Sequence, residues 1–178
     1  MTQMMDFGSR NPISKPLFDS FYALMEKSFP KQMRRTREAF WQLCQNEPRY
    51  HIYTWLQQGC VYAFFTLWEL PSFRFVDHFA VSPDLRCGGI GSRILQEVLQ
   101  KSTLPLVLEA ELPETELAKR RLNFYKRNGF FEHPFPYLMP PVQADCEAVP
   151  MKLLSSRPLS EKEFYAVRDC LYKEVYNI

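Results

Sequence analysis

The sequence carries no surplus of either charge: 22 Lys and Arg stand against 20 Asp and Glu, a formal net charge of +2 with its 3 His neutral. Duplex nucleic acid and anionic bilayers attract proteins through a clustered basic excess, so neither is an expected partner. Metal-like cysteine spacing is also missing. The five cysteines, Cys44, Cys60, Cys87, Cys146 and Cys170, are odd in number and include no CxxC pair, which disfavours a disulfide framework and a zinc site. Free thiols in a reducing cytoplasm, with no metal, are the expectation. The longest apolar stretch, Cys60 to Trp68, is too short to span a bilayer, and Met1 to Arg10 lacks the apolar segment of a secretion signal. No repeat and no low-complexity tract interrupts the chain, so residues 1–178 read as one domain.

Core-forming material, by contrast, is plentiful: 46% of the 178 residues are hydrophobic and 15% are aromatic, enough for a sizeable core. After a short start with room for one strand, Leu17, Phe21, Leu24, Met25 and Phe29 recur at helical spacing before Pro30. A second helix is expected from about Arg34 to Gln45. The period then shortens. Tyr50–Leu56 and Cys60–Leu70 read as a hairpin, and Pro71-Ser72 turns into a third strand, Phe73–Val81. Helix Gly88–Gln100, strand Leu106–Leu112, helix Glu114–Asn128 and closing strands Phe130–Tyr137 and Val149–Leu154 follow. Ser160 and Glu163 fit a capping box, opening a helix within about 159–176 whose stripe is Phe164, Val167, Leu171 and Val175. That helix packs either on the same domain or on a second copy, and a homodimer is one expectation for it. This order implies an α/β (α+β) fold, a mixed central sheet with helices on both faces.

The sharpest local feature is the strand-to-helix turn Ala80-Val81-Ser82-Pro83-Asp84-Leu85-Arg86-Cys87-Gly88-Gly89-Ile90-Gly91-Ser92. Glycines there let a backbone approach a ligand, and the N–H groups opening the helix form an anion nest suited to a pyrophosphate. No Gly-Lys-Ser/Thr follows, so it is not a P-loop, and the third glycine of GxGxxG is absent. A nucleotide-binding Rossmann module is disfavoured further by the antiparallel strands before the loop.

Arg86-x-x-Gly89-x-Gly91 resembles the acyl-CoA-binding signature of the GNAT superfamily of N-acetyltransferases, and Asn123-Phe124-Tyr125-Lys126-Arg127-Asn128-Gly129-Phe130 resembles its FYxxxGF motif. The likeness covers about residues 50–131, the core of the domain, and is nearest to small bacterial members with an Asp-His-Phe-Ala-Val strand and an extra C-terminal helix. The resemblance implies a GNAT fold and acetyl-CoA as co-substrate. It implies that Arg86, Cys87, Gly88, Gly89, Ile90, Gly91 and Ser92 hold the CoA pyrophosphate and that Phe79, Ala80 and Val81 pair with the pantetheine arm. It also implies that Tyr125 protonates the departing thiolate. One departure is Ala118, where the family often carries an Asn seven residues before that tyrosine.

Acyl transfer to an amine needs the amine neutral, the carbonyl polarised and a proton for the leaving sulfur. The resemblance implies that a strand N–H near Val81 serves as polariser, because the sheet splays there in the family. Alternation along Phe73–Val81 puts Asp77 on one face with Phe73, Phe75, Phe79 and Val81, and His78 on the other as a core histidine. Asp77 is the first candidate base, its pKa expected to rise on burial. Glu109, on the same face of Leu106–Leu112 as Glu111, is the second, either as base or as a ligand of the acceptor. Glu111 reads as a surface residue. Cys87 has no histidine nearby in sequence, which argues against a covalent route. Lys119-Arg120-Arg121 with Lys126-Arg127 either reaches the CoA 3′-phosphate or forms a solvated helix face. Arg34 and Arg35 either bind an acidic acceptor or are surface charge. The expected function is transfer of acetyl from acetyl-CoA to a primary amine, on a small molecule or a peptide N-terminus, by direct transfer in a ternary complex. The alternative is a GNAT-fold sensor that binds acyl-CoA without turnover.

Overall fold

The computed structural model describes residues 4–85 and 88–178. The chain runs β1 (Met4–Phe7), α1 (Lys15–Ser28), α2 (Arg37–Asn46), β2 (Tyr50–Gln57), β3 (Cys60–Glu69), β4 (Arg74–Val81) and α3 (Ile90–Lys101). It continues through β5 (Leu106–Glu111), α4 (Glu116–Arg127), β6 (Phe131–Glu132), β7 (Tyr137–Met139), β8 (Val149–Ser155) and α5 (Glu161–Glu174). Short 3-10 turns at Lys31–Met33 and Pro83–Leu85 precede α2 and α3.

Eight strands join in one mixed sheet of order β1-β2-β3-β4-β5-β8-β6, with β7 also on β8. Two apolar layers sit on its faces. Phe18, Phe21 and Met25 of α1, Phe40 and Cys44 of α2, and Phe164, Val167, Leu171 and Val175 of the α5 region share one core. Ile94, Leu95 and Val98 of α3 with Leu122 and Tyr125 of α4 build the other. The α5 stripe is therefore buried on its own chain, and the capping box of Ser160 and Glu163 is formed.

Two expectations are corrected. The strand expected over Phe130–Tyr137 is split into β6 and β7, both pairing with β8. Pro134 and Pro136 lie in the gap and have no N–H to give a ladder. In β4 the register jumps from His78↔Thr66 to Val76↔Leu67, leaving Asp77 opposite no residue of β3. Such a bulge breaks the two-residue alternation. Phe73 and Phe75 keep to the α1/α2/α5 side, where Asp77 meets Arg35 and His78 packs on Phe29 and Phe40. Phe79 and Val81 face α3 and α4 instead.

The feature that opens the site is a splay. Parallel pairing of β4 with β5 covers Arg74↔Leu106, Phe75↔Val107 and Val76↔Leu108 only. Beyond it β4 stays on β3 as far as Val81, while β5 stays on β8 as far as Glu111. The two strands diverge, and side chains from both faces gain access to the gap.

Candidate active site

The wider side of the gap is a cleft of about 390 Å³ between the end of β4, the start of α3 and one face of α4. Gly88 and Gly89 have φ of +110° and +74°, the left-handed region in which a side chain is strained. Gly89 is the residue that opens α3, so the first free N–H groups of that helix start at the cleft wall. Phe79, Ala80, Val81, Gly89, Gly91 and Ser92 line the cleft. Asn128 Nδ2 donates to Ser92 Oγ at 3.2 Å, tying the start of α3 to the end of α4. Ile90 turns the other way, into a groove with Trp55 and Tyr62. Arg86 and Cys87 lie outside the described residues.

The basic run on α4 divides in two. Lys119 pairs with Glu116 and Lys126 with Glu132. Arg120, Arg121 and Arg127 line the cleft, and among the described residues no ion pair engages Arg120 or Arg127. Ala118, which stands where the family often carries an Asn, is buried.

The inner end narrows at Tyr125, which lines both the cleft and a pocket of about 30 Å³. That pocket holds Asp77, Glu109, Glu111 and Arg121. A neighbouring pocket of similar size shares Phe29, Met33, Asp77, His78 and Glu109 and adds Met139, Val142, Met151 and Tyr176. Burial pushes the Tyr125 phenol up to about 12, with Arg121 pulling the other way, so it keeps its proton at neutral pH.

The two buried carboxylates differ sharply. Asp77 bonds to Arg35 at 2.8 Å and accepts from Tyr50 at 3.3 Å. Burial by itself would raise its pKa. The Arg35 guanidinium and His78 outweigh that and hold the carboxyl well below the usual carboxylate range, opposite to the rise expected from the sequence. Arg35 is thus neither a surface charge nor open to an acidic acceptor. Among the described residues no ion pair engages Glu109, and the pull of His78 on it is weak beside the effect of burial. Tyr137 donates to its Oε1, and Tyr176 lies 2.8 Å from both carboxylate oxygens. Burial raises Glu109 to about 7, the two phenol hydrogen bonds only partly opposing it. His78 is 5% exposed and its Nε2 donates to the Met33 carbonyl at 2.8 Å, the hydrogen-bonded core histidine that was expected. Glu111 is held by Arg121, and Arg34 by Tyr22, Phe29 and Glu26.

The model of the acetyltransferase (GNAT) family matches residues 17–130, more than half of the chain. The chain belongs to the acetyltransferase (GNAT) family. A solved structure from Bacteroides thetaiotaomicron, titled "Putative acetyltransferase from GNAT family", is 30% identical with a TM-score of 0.88 and 99% of each chain covered. Among curated proteins, "Putative acetyltransferase YjbC" of Bacillus subtilis is 38% identical over 64 residues, 35% of this chain and 33% of the relative. The chain thus spans about a third of the length of that relative. A GNAT acetyltransferase from Elizabethkingia anophelis, solved with acetyl-CoA bound, shares the fold at 17% identity and a TM-score of 0.58, with 88% of this chain and 97% of that one covered.

In this GNAT chain Gly89, Gly91 and Ser92 of the expected loop line the cleft with Tyr125, and Asp77 and Glu109 line the pocket beside it. Sequence reasoning placed these residues at the site. It missed Tyr137 and Tyr176 and misread Arg35. A lone tyrosine after a helix carries no local signal for a carboxylate 67 positions away.

Proposed function

We propose that this chain transfers an acetyl group from acetyl-CoA to a primary amine, directly and in a ternary complex. The observation that carries the reading is the meeting at Tyr125 of a long cleft, walled by the glycine turn, with a small pocket holding a carboxylate poised near neutrality. The cleft suits CoA. Its wall offers backbone N–H groups at the opening of α3, and Arg120 and Arg127 supply cations for phosphate oxygens.

Glu109 is the base in this reading. Its carboxylate takes a proton from the acceptor ammonium, and the freed nitrogen lone pair attacks the thioester carbonyl. As the C–S bond breaks, Tyr125 hands its phenolic proton to the leaving sulfur, and the second proton shed by the nitrogen as it becomes an amide restores the phenol. Asp77, kept ionised by Arg35, is a poor proton acceptor and instead places fixed negative charge beside the incoming ammonium. Phe29, Met33, Met139 and Met151 keep that chamber apolar.

The test is thiol release from acetyl-CoA over a panel of small amines and peptides with free N-termini. Wild-type protein should release CoA with at least one class, and kcat/KM should climb with pH through about 7 as Glu109 ionises. Glu109→Gln should lose about 10²-fold or more in kcat and keep acetyl-CoA affinity. Binding of acetyl-CoA with no release across the panel would favour the sensor reading.

A further inference from the structure

The family match ends at residue 130, yet both buried carboxylates are anchored to the turn that follows α5. Val175 and Tyr176 donate their N–H groups to the Leu171 carbonyl at 2.9 and 3.1 Å, which fixes the turn. From it the Val175 carbonyl accepts from Arg35 Nη2 at 3.3 Å, and the other arm of that guanidinium holds Asp77. Tyr176 Oη sits 2.8 Å from each oxygen of Glu109. Tyr137 reaches one of those oxygens only. A phenol astride both oxygens fixes the plane of the carboxylate, which a donor to a single oxygen leaves free to turn.

Resting on the reading of Glu109 as base, we propose that Tyr176 is a positioning residue of the acceptor site: its hydroxyl orients the Glu109 carboxylate and sets the pH at which it accepts a proton. The titratable and charged groups around Glu109 are Asp77 and His78 of β4, Glu111 of β5, Arg121 and Tyr125 of α4, Tyr137 of β7, and Tyr172 and Tyr176 in and after α5, with Arg35 behind Asp77. Among the described residues, Tyr137 and Tyr176 alone donate hydrogen bonds to the carboxylate. A donor to a carboxylate favours its charged form and lowers its proton affinity.

Tyr176→Phe keeps the ring and deletes the donor. The experiment follows the Glu109 resonance by NMR in protein labelled with carboxyl-¹³C glutamate, assigned with Glu109→Gln, beside the pH profile of kcat/KM. The Glu109 midpoint should rise by about one pH unit, since a hydrogen bond to a charged group is worth roughly a tenfold step in proton affinity. The acid limb of the profile should move with it, and KM for acetyl-CoA should hold. Tyr165→Phe, on α5 and away from the pocket, should move neither. An unmoved midpoint in Tyr176→Phe would overturn the positioning role. A midpoint that rises while the acid limb stays would uphold it and remove Glu109 as the base.

Discussion

The cleft and the inner pocket of this gap are built on different plans. The cleft is walled by Phe79, Ala80 and Val81 and by Gly89, Gly91 and Ser92 at the opening of α3, completed by one face of α4. The inner pocket is a side-chain network drawn from Arg35, Tyr50, Asp77, Glu109, Tyr137 and Tyr176. A backbone site depends on where glycine is tolerated, and its charge does not register in the amino-acid count. A side-chain network depends on which partner each ionisable group finds. Hence two carboxylates lining one pocket titrate in opposite directions, Asp77 lowered beside a guanidinium and Glu109 raised beside phenols.

The contrast can be broken from either side. Gly89→Glu should have the largest effect. It strains a left-handed residue and sets a carboxylate beside phosphate oxygens, where like charges about 4 Å apart cost roughly 4 kcal/mol. Calorimetry should show acetyl-CoA affinity falling by about 1000-fold. Wild-type affinity would mean that the turn is not the phosphate wall.

Next comes Asp77→Asn, which leaves Arg35 buried without its counter-ion; the two side chains are 5% and 11% exposed. Loss of one partner of a buried pair should cost about 3 kcal/mol, read as a drop in denaturation midpoint. Because Asp77 is held low, this stabilisation is present above the ordinary aspartate range and is lost only as pH falls through the depressed value. The loss in the variant should therefore be full at pH 7 and shrink in acid. A loss independent of pH would sink the ion-pair account.

Tyr125→Phe should have the smallest effect. It stands where the two regions meet, and as proton donor its loss should lower kcat by about 10-fold or more with acetyl-CoA affinity kept. Equal turnover would reduce Tyr125 to a packing residue.

Much of the fold was legible because its signals are local. The spacing of Leu17, Phe21, Leu24 and Met25 marked α1, which is Lys15–Ser28. Ser160 and Glu163 marked the start of α5 through bonds between neighbours. Pro134 and Pro136 mark the split, yet Phe131, Phe135 and Tyr137 keep a strand-like period of two across it. The bulge at Asp77 was invisible, since nothing in Arg74–Val81 announces that β3 offers one residue fewer.

By itself the sequence determined the element order, the glycine turn and the aromatic motif of α4, because each is fixed by spacing within one turn or one strand. It also determined that two acids stand on strands bordering the gap. Only the tertiary structure decided which of them keeps its charge and which holds a proton near neutrality. That choice belongs to Arg35, Tyr137 and Tyr176, residues 42, 28 and 67 positions from the carboxylates they touch. Proton affinity in a buried site follows the nearest charges and donors in space, and chain distance has no say in it.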